Sequence, residues 1–142
     1  ADEGRPIAFD VLSAGLRTLE EQADWVLVEG AGGWFTPLSE QHTFADWVEA
    51  ERLPVILVVG VKLGCINHAV LTAQAVQQAG LRLAGWIAND VVAPGKRHPE
   101  YLATLKRMLP APFLGEIPWL SGNAENAETG KYLDLSALQK CD

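Results

Sequence analysis

The sequence predicts an α/β fold, a parallel sheet with crossover helices, on three observations. Segments of strand and helix pattern alternate along residues 7–138. The strand segments are unbroken apolar runs, as in Pro54-Val55-Ile56-Leu57-Val58-Val59, and such runs suit strands covered on both faces. Each run opens into a loop with Gly, Asn, Asp or Glu, and in these sheets ligands gather beyond the carboxyl ends of the strands.

Residues 7–24 place Phe9, Leu12, Leu16 and Leu19 at three- and four-residue spacing, which predicts an amphipathic helix with those side chains inward. A buried strand over 25–29 follows, ending in Glu29 and the loop Gly30-Ala31-Gly32-Gly33-Trp34. Pro37 forbids a simple helix in the rest of that loop. A short helix over 43–52 precedes the second strand, 54–60. Lys62 to His68 lead into a helix reaching Ala79, with Gly80 as its C-terminal cap. The third strand, 83–88, ends in Asn89-Asp90. The loop 91–99 has two prolines and Lys96-Arg97-His98. A helix over 100–109 turns Leu102, Leu105 and Met108 inward, the fourth strand is 113–117, and a last helix covers 133–138. The four loops after the strands are expected at one edge of the sheet. Trp25, Trp47 and Trp86 read as core, and Trp34 and Trp119 as residues of ligand-side loops.

With 142 residues, 49% of them hydrophobic, the chain suits a single domain over 1–142. A net charge of −7 argues against a nucleic-acid partner, which would require a basic surface. No apolar run approaches the ~18 residues of a membrane span, and the polar start lacks a signal-peptide pattern. Cys65 and Cys141 form neither a metal spacing nor a disulfide framework, so the expected setting is the cytoplasm.

Glu29 offers a hard cation such as Mg²⁺ an oxygen ligand, and the glycines beside it let backbone N–H groups approach a ligand; a solvated strand end is the plainer reading. No G-x-x-x-x-G-K-[ST] phosphate loop is present, and Gly95-Lys96 and Gly130-Lys131 read as exposed turns. No serine lies on a strand-to-helix elbow, and His42 and His98 read as surface residues. Cys65 is either a helix-start nucleophile or a small apolar residue, the second being favoured.

The run Val26-Leu27-Val28-Glu29-Gly30-Ala31-Gly32-Gly33-Trp34, with Gly64-Cys65-Ile66-Asn67-His68, Gly85-Trp86-Ile87-Ala88-Asn89 and Gly115-Glu116-Ile117-Pro118-Trp119-Leu120, closely resembles the dethiobiotin synthetases of enteric bacteria. The resemblance runs in order along nearly the whole chain. It implies a P-loop NTPase-like fold and an ATP- and Mg²⁺-dependent cyclo-ligase of biotin synthesis. It further implies a homodimer with active sites at the subunit interface, acting on 7,8-diaminononanoate, CO₂ and ATP. By position, Glu29 resembles the Mg²⁺ ligand. Asn89, Pro118, Trp119, Leu120 and Glu125 resemble nucleotide contacts. Gly32, Gly64, Cys65, Ile66, Asn67 and Tyr101 resemble substrate contacts, the helix start at Gly64 receiving the substrate carboxylate from the neighbouring protomer. The family's P-loop, catalytic lysines and first strands have no counterpart in these residues, so the expectation is a C-terminal portion of a longer, P-loop-type domain. Activity is expected of the full-length parent rather than of this chain alone. The other readings are a non-catalytic dimerisation or ligand-binding module, and a related P-loop amidoligase or partitioning ATPase.

Overall fold

A computed structural model of the chain describes residues 7–121 and 128–138. They fall into two compact units that divide between Leu53 and Pro54.

In the first unit, helix α1 (Phe9–Glu20) buries Leu16 and leaves Leu19 52% exposed, so the inward stripe is shorter than the spacing predicts. Helix α2 (Phe44–Ala50) begins in a capping box: Thr43 Oγ1 accepts from the Asp46 N–H, and the Asp46 carboxylate accepts from the Thr43 N–H at 2.6 Å. Trp47, 2% exposed, donates from Nε1 to Ser13 Oγ at 3.1 Å, and Ser13 in turn donates to Glu51. Arg17 pairs with both Glu20 and Glu51.

The strand predicted over 25–29 does not form. These residues enter no ladder among the described residues, and Trp25 and Leu27 are 58% and 85% exposed. Trp25 is therefore not a core residue. The reason is that a strand is a pairwise object: its N–H and C=O groups are satisfied only by a neighbour, and an apolar pattern carries no neighbour with it.

The second unit is a three-stranded parallel sheet, ordered β1 (Val55–Gly60), β2 (Leu83–Asn89), β3 (Phe113–Ile117). Helix α3 (Cys65–Gln78) carries the chain from β1 to β2, and α4 (His98–Met108) from β2 to β3. The α3 helix buries Ala69, Ala73 and Val76 and packs on β1, β2 and α4. It ends one residue earlier than predicted: Ala79 rather than Gly80 is the cap, and Gly80 follows at φ +70°. As the central strand, β2 is the most covered: Trp86 and Ala88 are fully buried. Gly85 fits beneath Leu114, where an added Cβ would lie 2.7 Å from its Cδ1. Strand β1 is paired on one side only among the described residues, and Val58 is 56% exposed, so it is not covered on both faces.

Three further boundaries differ from expectation. The loop after β2 closes two residues earlier than 99, because Pro99 sits in the first turn of α4, where its missing N–H costs nothing. Met108 is exposed and Leu109 takes its place in the core, since Leu109 leaves the helix at ψ 123° and is 5% exposed. The helix predicted over 133–138 is absent. A 3-10 turn (Thr129–Tyr132) leads instead into Leu133, which bridges to Gly115. A segment that short cannot offset the cost of helix nucleation, whereas the Asp134 N–H reaches Leu114 O at 2.7 Å.

Candidate functional site

Because the three strands are parallel, the loops after Gly60, Asn89 and Ile117 leave the same edge of the sheet. Asn89 is central there, paired with Gly60 on one side and Ile117 on the other. Its carbonyl accepts from the Val61 N–H at 2.8 Å, and the next amide, Asp90 N–H, donates to Ile117 O at 3.0 Å. These bonds set the partly exposed Asn89 at the strand end beside Pro118, Trp119 and Leu120. Trp119 is 46% exposed. A carboxamide offers both a donor and an acceptor, and an adjoining apolar strip offers a surface for a flat ring, so the arrangement can read a heterocycle. Glu125 lies outside the described residues.

On the same edge α3 begins at Gly64, whose φ of +89° is a backbone conformation that side-chain-bearing residues rarely adopt. No side chain caps this helix. Its unpaired N–H groups and positive dipole end suit an anion. Asn67 is exposed in the first turn rather than serving as the cap, and Ile66 is half-buried. Cys65 is 4% exposed, which matches a small apolar residue and not a displayed nucleophile. Tyr101, half-buried on α4, lines a groove with Lys62, Leu63, Lys96 and Arg97. The three cationic groups give this face a local positive charge in an acidic chain.

The sequence reading missed one cluster. Asp90, directly after β2, His98, opening α4, and Glu116, in β3, bring ligand atoms within 4.8 Å of one another. His98 Nε2 lies 2.6 Å from Glu116 Oε1 and 3.5 Å from Asp90 Oδ1. His98 is thus a partly buried partner of two carboxylates and not a surface residue. Burial pushes the Asp90 carboxyl above the usual carboxylate range, opposed by the charge of His98. Sequence spacing could not reveal the cluster, because its members come from three elements joined only by the sheet register and the α4 crossover.

In the first unit, Glu29 is exposed and precedes a loop with Gly32 at φ +86° and Gly33 at φ +102°. Thr36 closes the loop by donating from Oγ1 to Gly33 O at 2.9 Å. Trp34 O and Thr36 O accept from the Ala45 and Phe44 N–H groups at 3.1 and 2.8 Å, so the loop satisfies the first turn of α2. Glu29 supplies a hard oxygen donor that fits Mg²⁺, and glycine at 32 is required by the backbone.

Among the described residues no helix is long and apolar enough to cross a membrane. Residues 1–126 match a protein family described as an AAA domain. The chain is 79% identical over 135 residues to an ATP-dependent dethiobiotin synthetase BioD of Pseudescherichia vulneris, covering 95% of this chain and 56% of that protein. It is 75% identical over 138 residues to ATP-dependent dethiobiotin synthetase BioD 1 of Escherichia coli K12, covering 97% and 61%. With the Yersinia pestis BioD 1 protein the identity is 63% over 145 residues, covering 99% and 60%. The chain therefore spans about three fifths of the length of these curated relatives.

Proposed function

Because the chain belongs to the AAA-domain family and is similar over nearly all its length to ATP-dependent dethiobiotin synthetases, we propose that the protein is such a synthetase, these residues reading the nucleotide and receiving the substrate. The reaction is then the Mg²⁺- and ATP-dependent closure of a ureido ring on 7,8-diaminononanoate with CO₂. One amine adds to CO₂ to give a carbamate and releases a proton. A carbamate oxygen attacks the γ-phosphorus of ATP and ADP leaves. The second amine attacks the resulting mixed anhydride at carbon, loses its proton and expels phosphate. Mg²⁺, when bound, offsets the charge that develops between these anions.

The chain's own groups divide the work. Asn89 exchanges hydrogen bonds with the adenine edge while Pro118, Trp119 and Leu120 line the base, with Glu125 a further nucleotide contact. Glu29 of the first unit would hold the Mg²⁺, and Gly32 would let the substrate approach the backbone of its loop. The α3 start at Gly64, Cys65, Ile66 and Asn67, with Tyr101, receives the substrate carboxylate, supported by the positive groove around Lys62 and Arg97. On this reading the protein is a cytoplasmic homodimer whose substrate site spans two subunits. The observation that carries the reading is the convergence of Asn89 with the 118–120 strip at the carboxyl edge of a parallel sheet.

The test is dethiobiotin formation by the full-length protein and its Asn89→Ala variant. Losing a bidentate base contact of about 1–3 kcal/mol should raise KM for ATP about five- to 150-fold and leave KM for the diamino acid nearly unchanged. Absence of product with the wild-type protein would overturn the proposal. Unchanged ATP affinity in the variant would remove Asn89 from the base site.

A further inference from the structure

We infer that Asp90, His98 and Glu116 form a binding site for a divalent transition-metal ion of the Zn²⁺ class, separate from the Mg²⁺ that accompanies ATP. The donor set is one imidazole nitrogen and two carboxylate oxygens, a mixture that suits Zn²⁺. Mg²⁺ prefers oxygen ligands alone and retains several waters. Both spacings from His98 are also near those a metal needs, and the three ligand atoms lie within 4.8 Å of one another. Bonds of about 2.0–2.1 Å in tetrahedral directions place ligand atoms about 3.3 Å apart. The His98 Nε2 to Asp90 Oδ1 distance is already 3.5 Å, and the 2.6 Å contact with Glu116 Oε1 needs to open by well under an ångström.

A second observation points to a ligand. The Asp90 side chain is only 3% exposed, and its Oδ1 makes no hydrogen bond, its one charged approach being His98 Nε2 at 3.5 Å. A buried carboxylate oxygen without a hydrogen bond is costly, and a bound cation would satisfy it. The scaffold is rigid for the purpose. Asp90 N–H is held by Ile117 O, Glu116 lies in β3, and His98 opens an α-helix with Pro99 behind it. The Glu116 side chain is 33% exposed, which leaves the open side of the cluster to a water as fourth ligand. None of the three residues is used by the proposed ligase chemistry, so the site stands or falls independently of it.

The experiment is equilibrium dialysis of the chelator-treated, full-length protein against micromolar Zn²⁺, with Mg²⁺ in large excess. It includes the His98→Gln and Glu116→Gln variants, with circular dichroism to confirm folding. The expected result is one Zn²⁺ per chain that Mg²⁺ does not displace and whose affinity falls roughly tenfold or more in each variant. In the wild-type protein, Zn²⁺ should also shift the ring resonances of His98 and leave those of His42 in place. The NMR experiment keeps the inference testable if a variant fails to fold. No Zn²⁺ bound, equal affinity in folded variants, or an unshifted His98 ring would overturn it.

Discussion

Gly115 shows how much a single missing Cβ can determine. Its φ is +145°, and an added Cβ would stand 2.1 Å from the carbonyl oxygen of Tyr132. The obstacle is backbone of the segment that bridges Leu133 to Gly115, so it cannot rotate aside as a side chain would. Gly115→Ala should destabilise the protein by about 3 kcal/mol, combining backbone strain with overpacking, and a denaturant midpoint measured at unchanged slope would report it. An effect below about 0.5 kcal/mol would mean that the bridge does not persist in solution. Nothing in Leu114-Gly115-Glu116 distinguishes this glycine from one tolerated in any strand. By contrast, Gly32 and Gly64 were legible as loop and helix-start glycines, because tight turns and chain reversals are where positive φ ordinarily calls for glycine.

At the scale of elements, α2 has seven residues, too few to persist by helix propensity alone. It is held by its buried residues Ala45, Trp47 and Val48 and by the Thr43–Asp46 capping box. The backbone hydrogen bond from Thr43, and then its side-chain hydrogen bond, hold the Asp46 carboxyl below the usual carboxylate range. A depressed folded-state pKa stabilises above the unfolded value of about 3.9, and that contribution is lost as pH falls through the lower folded value. Asp46→Ala should cost about 0.3–1 kcal/mol near neutrality, the exposed carboxylate being screened by solvent, and the gap between variant and wild type should close in acid. Chemical denaturation at both pH values checks this. A gap that persists in acid would show that the cap does not depend on the ionised carboxylate. The box was not read from the sequence, since its last member is Asp rather than the usual Glu or Gln.

At the scale of the whole molecule, the proposed shared site makes a statement that no single chain can. If the α3 start serves the neighbouring protomer's substrate, Asn67→Ala in the full-length protein should raise KM for the diamino acid several-fold, with ATP affinity nearly unchanged. Glu29→Gln, which keeps shape but removes charge, should depress Mg²⁺-dependent turnover. Each variant alone is impaired at every site. A mixed dimer has one site carrying both lesions and one carrying neither, so mixing the two proteins should restore part of the activity. No restoration in verified mixed dimers would place the α3 start and Glu29 in the same protomer's site.

The alternation of apolar β-branched runs with helical patterns was enough to determine the parallel β1, β2 and β3 and their α3 and α4 crossovers. Such patterns express burial, and burial is what orders these elements. The strand ends carrying Asn89 and Pro118 to Leu120 followed, because the carboxyl edge of a parallel sheet is a property of topology. Pairing belongs to the tertiary structure. Residues 25–29 have the composition of a strand, yet they lack a ladder among the described residues, and Leu27 is exposed. Likewise, no spacing rule unites Asp90, His98 and Glu116. They meet because β2 and β3 lie in a particular register and α4 begins above them, and such contacts arise from chain crossings that a linear pattern does not encode.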